Sequence, residues 1–112
     1  MNTIEALKAP EAENPHGVSV RKLHATEQVA ANLITLEPGQ ALKLHKTPVD
    51  AFFYLLEGQG TVEIGGERRM VPVHTLVPSP AGKAQRLLNE SAATVRFLVV
   101  KTPNPTEGGK IL

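Results

Sequence analysis

Short runs of alternating apolar and polar residues occupy most of this chain, and no stretch carries the 3.6-residue period of a long amphipathic helix. The alternation predicts strands over residues 18–23, 29–36, 52–56, 61–64, 67–71, 73–77, 84–88 and 94–100. Turn chemistry separates them. Pro38-Gly39, Gly58-Gln59-Gly60, Pro78-Ser79-Pro80 and Asn89-Glu90-Ser91 each interrupt a ladder, by removing a donor, by allowing positive φ or by offering a side chain to the turn. Gly65-Gly66 between two strand-like runs is a hairpin signal, because two-residue turns of the favoured hand need positive φ. Residues 52–56, Phe-Phe-Tyr-Leu-Leu, are apolar on both parities, which predicts a strand covered on both faces. Many short strands without helices to connect parallel neighbours predict an all-β sandwich or barrel and exclude a parallel α/β sheet.

The ends of the chain break this pattern. Residues 1–17 are expected to form an arm that packs across a partner subunit. Within it Asn2 and Glu5 suit the start of a short helix that Pro10 stops. Residues 18–101 are expected to form the barrel, and 102–112 a tail in which Pro103, Pro105, Gly108 and Gly109 oppose a regular ladder. The full length of 112 residues suits a single core.

Composition narrows the classes of function. Twelve basic and eleven acidic residues leave a net charge of +1, without the basic surplus of a nucleic-acid binder. Arg68-Arg69 follows the Gly-Gly turn and reads as hairpin decoration. There is no cysteine, hence no disulfide and no thiolate site. No apolar run has the length of a membrane span, and the first residues lack the pattern of a secretory leader, so the expected compartment is the cytoplasm.

Two spaced motifs sharpen the fold. Gly39, His45, Thr47, Ala51 and Gly58 form the first, and His74, Pro80, Gly82, Gln85 and Asn89 the second, with fifteen residues between them. Their spacing resembles that of the small single-domain cupins. The likeness covers roughly residues 29–100 and implies a jelly-roll barrel of the RmlC-like cupin superfamily. That family hosts dioxygenases, decarboxylases, isomerases, epimerases, storage proteins and sugar-sensing regulators, so the fold alone does not give the activity.

The resemblance also implies where a metal would sit: three histidines and a glutamate converging inside the barrel. Here those places hold His45, Thr47, Ala51 and Gln85. A neutral hydroxyl is a poor ligand, alanine is none, and an amide brings no compensating charge. No tightly held metal or other cofactor is therefore expected. His45, Gln85 and His74 are weak ligand candidates, and Asp50 would need a bulge to turn inward. His16, in the arm, and His24, at a turn, read as surface or structural residues.

By strand parity the expected pocket is His45, Thr47, Ala51, Phe53, Leu55, Gln85 and Leu87, with Lys43 joining if it turns inward rather than to solvent. An apolar wall with a few convergent polar groups suits a small polar or anionic ligand. A second expectation is an enzyme, either metal-dependent or using His45 as a general acid or base. A third is a structural or interaction barrel. A homodimer, covering the apolar outer face of residues 52–56, is compatible with all three.

Overall fold

The computed structural model describes all 112 residues, as two five-stranded antiparallel sheets folded face to face. The first contains β1 (Ser19–Ala25), β2 (Ala30–Leu36), β4 (Asp50–Glu57), β7 (Leu76–Ser79) and β9 (Val95–Thr102), in the order β1-β2-β9-β4-β7. The second contains β3 (His45–Lys46), β5 (Gly60–Ile64), β6 (Glu67–Val71), β8 (Gln85–Leu88) and β10 (Lys110–Ile111), in the order β10-β3-β8-β5-β6. This interleaving of chain order between two sheets is the jelly-roll arrangement. No helix is long and apolar enough to cross a membrane.

Alternation places the core. On β9 the side chains of Val95, Phe97 and Val99 point between the sheets, and on β4 those of Ala51, Phe53 and Leu55 do the same. The register sets Leu55 opposite Phe97 and Phe53 opposite Val99, so one face of each strand fills one apolar cluster. Leu36, Val62 and Leu87 complete it from the neighbouring strands. Phe97 is fully buried, which stabilises the fold by about 2–3 kcal/mol relative to an exposed ring. Gly65 and Gly66 both take positive φ, +58° and +86°, and close the expected hairpin between β5 and β6.

Several expectations are corrected. Within one chain, residues 52–56 are fully covered on the inner face alone. Phe52 and Tyr54 are half-buried on the outer side, and Leu56, at a bulge where Leu55 and Glu57 pair with successive residues of β9, is exposed. The strand expected at 73–77 starts later, at Leu76, because His74 adopts φ of +68° in the turn. Its N–H donates to the Leu55 carbonyl at 2.8 Å and so bends the chain before β7. Near the N-terminus only a single 3-10 turn forms, at Ala6–Lys8, and no side chain caps it.

Both ends pack on their own chain. Glu11 bridges to Arg21 of β1, the Ala12 N–H donates to the Val20 carbonyl at 2.8 Å, and the Arg21 guanidinium reaches the Ala9 carbonyl. The arm thus lies along its own barrel. Ala9 becomes buried, and so does outward-facing Leu33, which sits opposite Arg21 in the register. The tail does enter a ladder: Lys110 and Ile111 pair with Lys46 and His45, and the Leu112 N–H donates to the Leu44 carbonyl at 2.9 Å. Gly109 permits this approach, since a Cβ there would lie 3.1 Å from the Lys46 carbonyl oxygen.

Candidate functional site

A cavity of about 190 Å³ opens at one end of the barrel. That leaves room for a small organic molecule. Its base is buried: Ile34, Leu42, Phe53 and Val99 form apolar wall, with Ala51, His45 and Gln85 among them. Its rim comes from the two chain ends, Asn14-Pro15-His16 on one side and Gly109 with Ile111 on the other.

His45 and Gln85 face each other across the β3–β8 pair, as the motif spacing implied. Gln85 is 2% exposed and both ends of its amide have a protein partner: Oε1 accepts from the Ser79 hydroxyl, and Nε2 donates to Thr47 Oγ1 at 3.3 Å. Thr47 Oγ1 in turn donates to the Val49 carbonyl at 2.9 Å. Thr47 therefore stands behind Gln85 as its support and does not line the cavity.

His16 is the residue that sequence reasoning misplaced. Its ring centroid lies 4.9 Å from that of His45. A local turn carries it there. The Asn14 side chain donates to the Ala12 and Val18 carbonyls at 3.1 and 2.8 Å and accepts from the His16 N–H at 3.0 Å. The main chain of Lys43 then fixes both rings. Its N–H donates to His16 Nδ1 at 2.9 Å, and its carbonyl accepts from His45 Nδ1 at 2.8 Å. A carbonyl only accepts and an amide N–H only donates, so the tautomers follow. His45 carries its proton on Nδ1 and leaves Nε2 bare, whereas His16 has a bare Nδ1 and its proton on Nε2.

Lys101 is the second residue missed. It is the one charged side chain on the cavity wall, next to Ala51 in the register, and it has neither an acidic partner nor a hydrogen-bond acceptor. Burial draws its ammonium below the ordinary lysine value. Burial likewise lowers the His16 ring to about 4, with the nearby charges of His45, Lys101 and Lys43 adding to the effect. His45 is lowered by burial and by Lys101, against an opposing push from its hydrogen bond to the Lys43 carbonyl. Both rings are thereby kept neutral near pH 7.

The remaining candidates are elsewhere. Leu55 and Leu87 are fully buried in the apolar core rather than on the cavity. Lys43 points its side chain to solvent and contributes only its main chain. His74 is exposed on the outer surface, where Nδ1 lies 3.3 Å from the Tyr54 hydroxyl, so it is not a cavity ligand. Asp50 accepts from the Ala81 N–H at 2.8 Å and is exposed, without the bulge that would turn it inward. His24 is exposed on β1.

The donors do not fit a tightly held divalent metal. No group of three or more His, Asp, Glu or Cys residues converges anywhere in the chain. Of the four motif positions, Ala51 has no donor and the Gln85 and Thr47 oxygens are held by protein hydrogen bonds. The nearest charge is the Lys101 cation, which opposes a second cation.

The family profile for the cupin domain matches residues 32–101. The chain belongs to the cupin family. Among solved structures it is similar to TT1209 from Thermus thermophilus, at 32% identity and a TM-score of 0.79, over 93% of this chain and 100% of that one. It also shares its fold with the polyketide cyclase RemF from Streptomyces resistomycificus, at 17% identity and a TM-score of 0.85, covering 100% of this chain and 85% of that one. A predicted oxalate decarboxylase from Thermotoga maritima gives 18% identity and a TM-score of 0.81, covering 92% and 100%. The latter two likenesses concern the fold alone. No curated protein matches the chain.

Proposed function

We propose that this cupin binds a small anionic molecule in its barrel without a tightly held metal. The observation that carries the reading is the unpaired Lys101 ammonium on a cavity wall that holds no carboxylate. Half-burial strips part of the water from this cation without giving it a protein partner, and an anionic ligand supplies the missing charge. The apolar wall favours a short alkyl body. Titration calorimetry of untagged protein with small carboxylates tests this. Saturable one-to-one binding that Lys101→Met removes is expected. Binding that survives Lys101→Met, or neutral compounds binding as well as acids, would refute it.

A second reading is catalysis by His45 as a general base, supported by the bare Nε2 that the Lys43 carbonyl enforces. Turnover of a bound acid that vanishes in His45→Ala is its test. The outer face of the first sheet, with Phe52, Tyr54, Leu98 and Val100 half-buried and Leu56 and Leu76 exposed, supports a homodimer packed there. A monomer by light scattering at micromolar concentration refutes that assembly.

A further inference from the structure

We infer that the ligand is a small aliphatic hydroxy acid, whose carboxylate meets Lys101 and whose hydroxyl is held between His45 and His16. The inference rests on the anion-binding reading above and goes beyond it by assigning the second functional group of the ligand.

Three observations carry it. The first is the fixed pair of tautomers. Each ring uses its Nδ1 on the Lys43 main chain, and neither Nε2 has a protein partner. The cavity therefore presents one ring acceptor, His45 Nε2, and one ring donor, His16 Nε2–H, on rings whose centroids are 4.9 Å apart. A hydroxyl donates one hydrogen bond and accepts others, so it satisfies both rings at once. A ketone oxygen would leave His45 unpaired, and an ammonium would leave His16 unpaired. Unmade hydrogen bonds in a buried site discriminate strongly between analogues.

The second observation is the position of Lys101. It lines the same cavity as both rings, and its charge is felt by both. A carboxylate on Lys101 and a hydroxyl at the imidazoles thus belong to one small molecule rather than to separate sites. The third is the wall: Ile34, Leu42, Phe53 and Val99 around a cavity of about 190 Å³ favour a short carbon skeleton over a sugar acid with a full ring of hydroxyls. The apolar wall would also leave several of those hydroxyls without partners.

Calorimetry with a matched set of probes tests the inference: each enantiomer of lactate, then propionate, pyruvate and 1,2-propanediol. One lactate enantiomer is expected to bind at least tenfold tighter than propionate and pyruvate, with propanediol undetectable. His16→Asn retains an acceptor for the Lys43 N–H but lacks the distal donor. In that variant the lactate preference over propionate should shrink to less than threefold. Circular dichroism confirms that the variant is folded, and if it is not, the tenfold ratio in the native protein still decides. Equal binding of lactate, pyruvate and propionate overturns the hydroxy-acid assignment and leaves anion binding intact. Propanediol binding as tightly as lactate, or no acid binding at all, overturns both.

Discussion

His16 and His45 are opposite tautomers because the main chain of a single residue, Lys43, grips both rings, donating to one and accepting from the other. The polarity of the cavity is therefore written in backbone rather than in side chains. Lys43→Ala should leave thermal stability and ligand affinity within experimental error at pH 7, where His16 is neutral with or without that charge and the exposed side chain makes no hydrogen bond to either ring. Lys43→Pro removes the N–H, frees the His16 ring and should abolish acid binding. Binding that is equal in the two variants would show that the clamp is irrelevant.

Acid should weaken the fold through His16. Its ring titrates near 6.5 when unfolded and at about 4 in the native protein. Between those values the unfolded chain holds more protons, so stability falls as pH drops from about 6.5 toward 4 and is fully present above that window. His45 has a lowered value as well and acts in the same direction. Urea titrations across this range should show a steeper loss in the native protein than in His16→Asn. Identical slopes, or a His16 ring proton that titrates at 6.5 by NMR, contradict the burial described here.

Asn89 ties two connections together. It is 1% exposed; Nδ2 donates to the Leu36 and Ala93 carbonyls at 2.9 and 2.7 Å, and Oδ1 accepts from the Ser91 N–H and hydroxyl. Asn89→Ala strands these partners and should cost about 2–3 kcal/mol in chemical denaturation. A loss below about 0.5 kcal/mol would mean that water replaces the amide.

The space over Phe97 is filled. A Cβ on Gly60 would come within 2.4 Å of the Phe97 ring. Gly60→Ala should destabilise by about 1–3 kcal/mol through overpacking. Adding Phe97→Leu should cost less in the Gly60→Ala background than alone, because the clash is relieved. Strict additivity of the two changes speaks against the packing.

Chelation should leave the protein as it was. With the Gln85 and Thr47 oxygens committed to protein donors and no acid on the wall, treatment with EDTA should not move Tm or acid affinity. A fall in Tm of more than about 4 °C, a change of roughly 1 kcal/mol for a domain of this size, would reveal a cation that matters to the fold.

The barrel was legible because its information is local. Turn residues and period-two alternation marked most of the strands, and motif spacing brought His45 and Gln85 together across sequence. The strands that escaped, β3 and β10, have two residues each and exist only through partners distant in sequence. Lys101 was within reach: the parity of Val95, Phe97 and Val99, carried one step past the apolar run, points it inward. His16 had no such signal. Its place depends on an Asn14 turn and on the backbone of a residue 27 positions away. Parity failed for Lys43, which lies before β3 begins, so strand alternation does not govern it.

The segment shared with the family, residues 32–101, builds the base of the cavity, whereas His16, Asn14, Gly109 and Ile111 fall outside it. Kinship measured on the barrel is therefore blind to the rim of that cavity. Sorting such proteins by what they hold will require superposing their terminal segments, and two cupins with interchangeable barrels can differ wholly in diet.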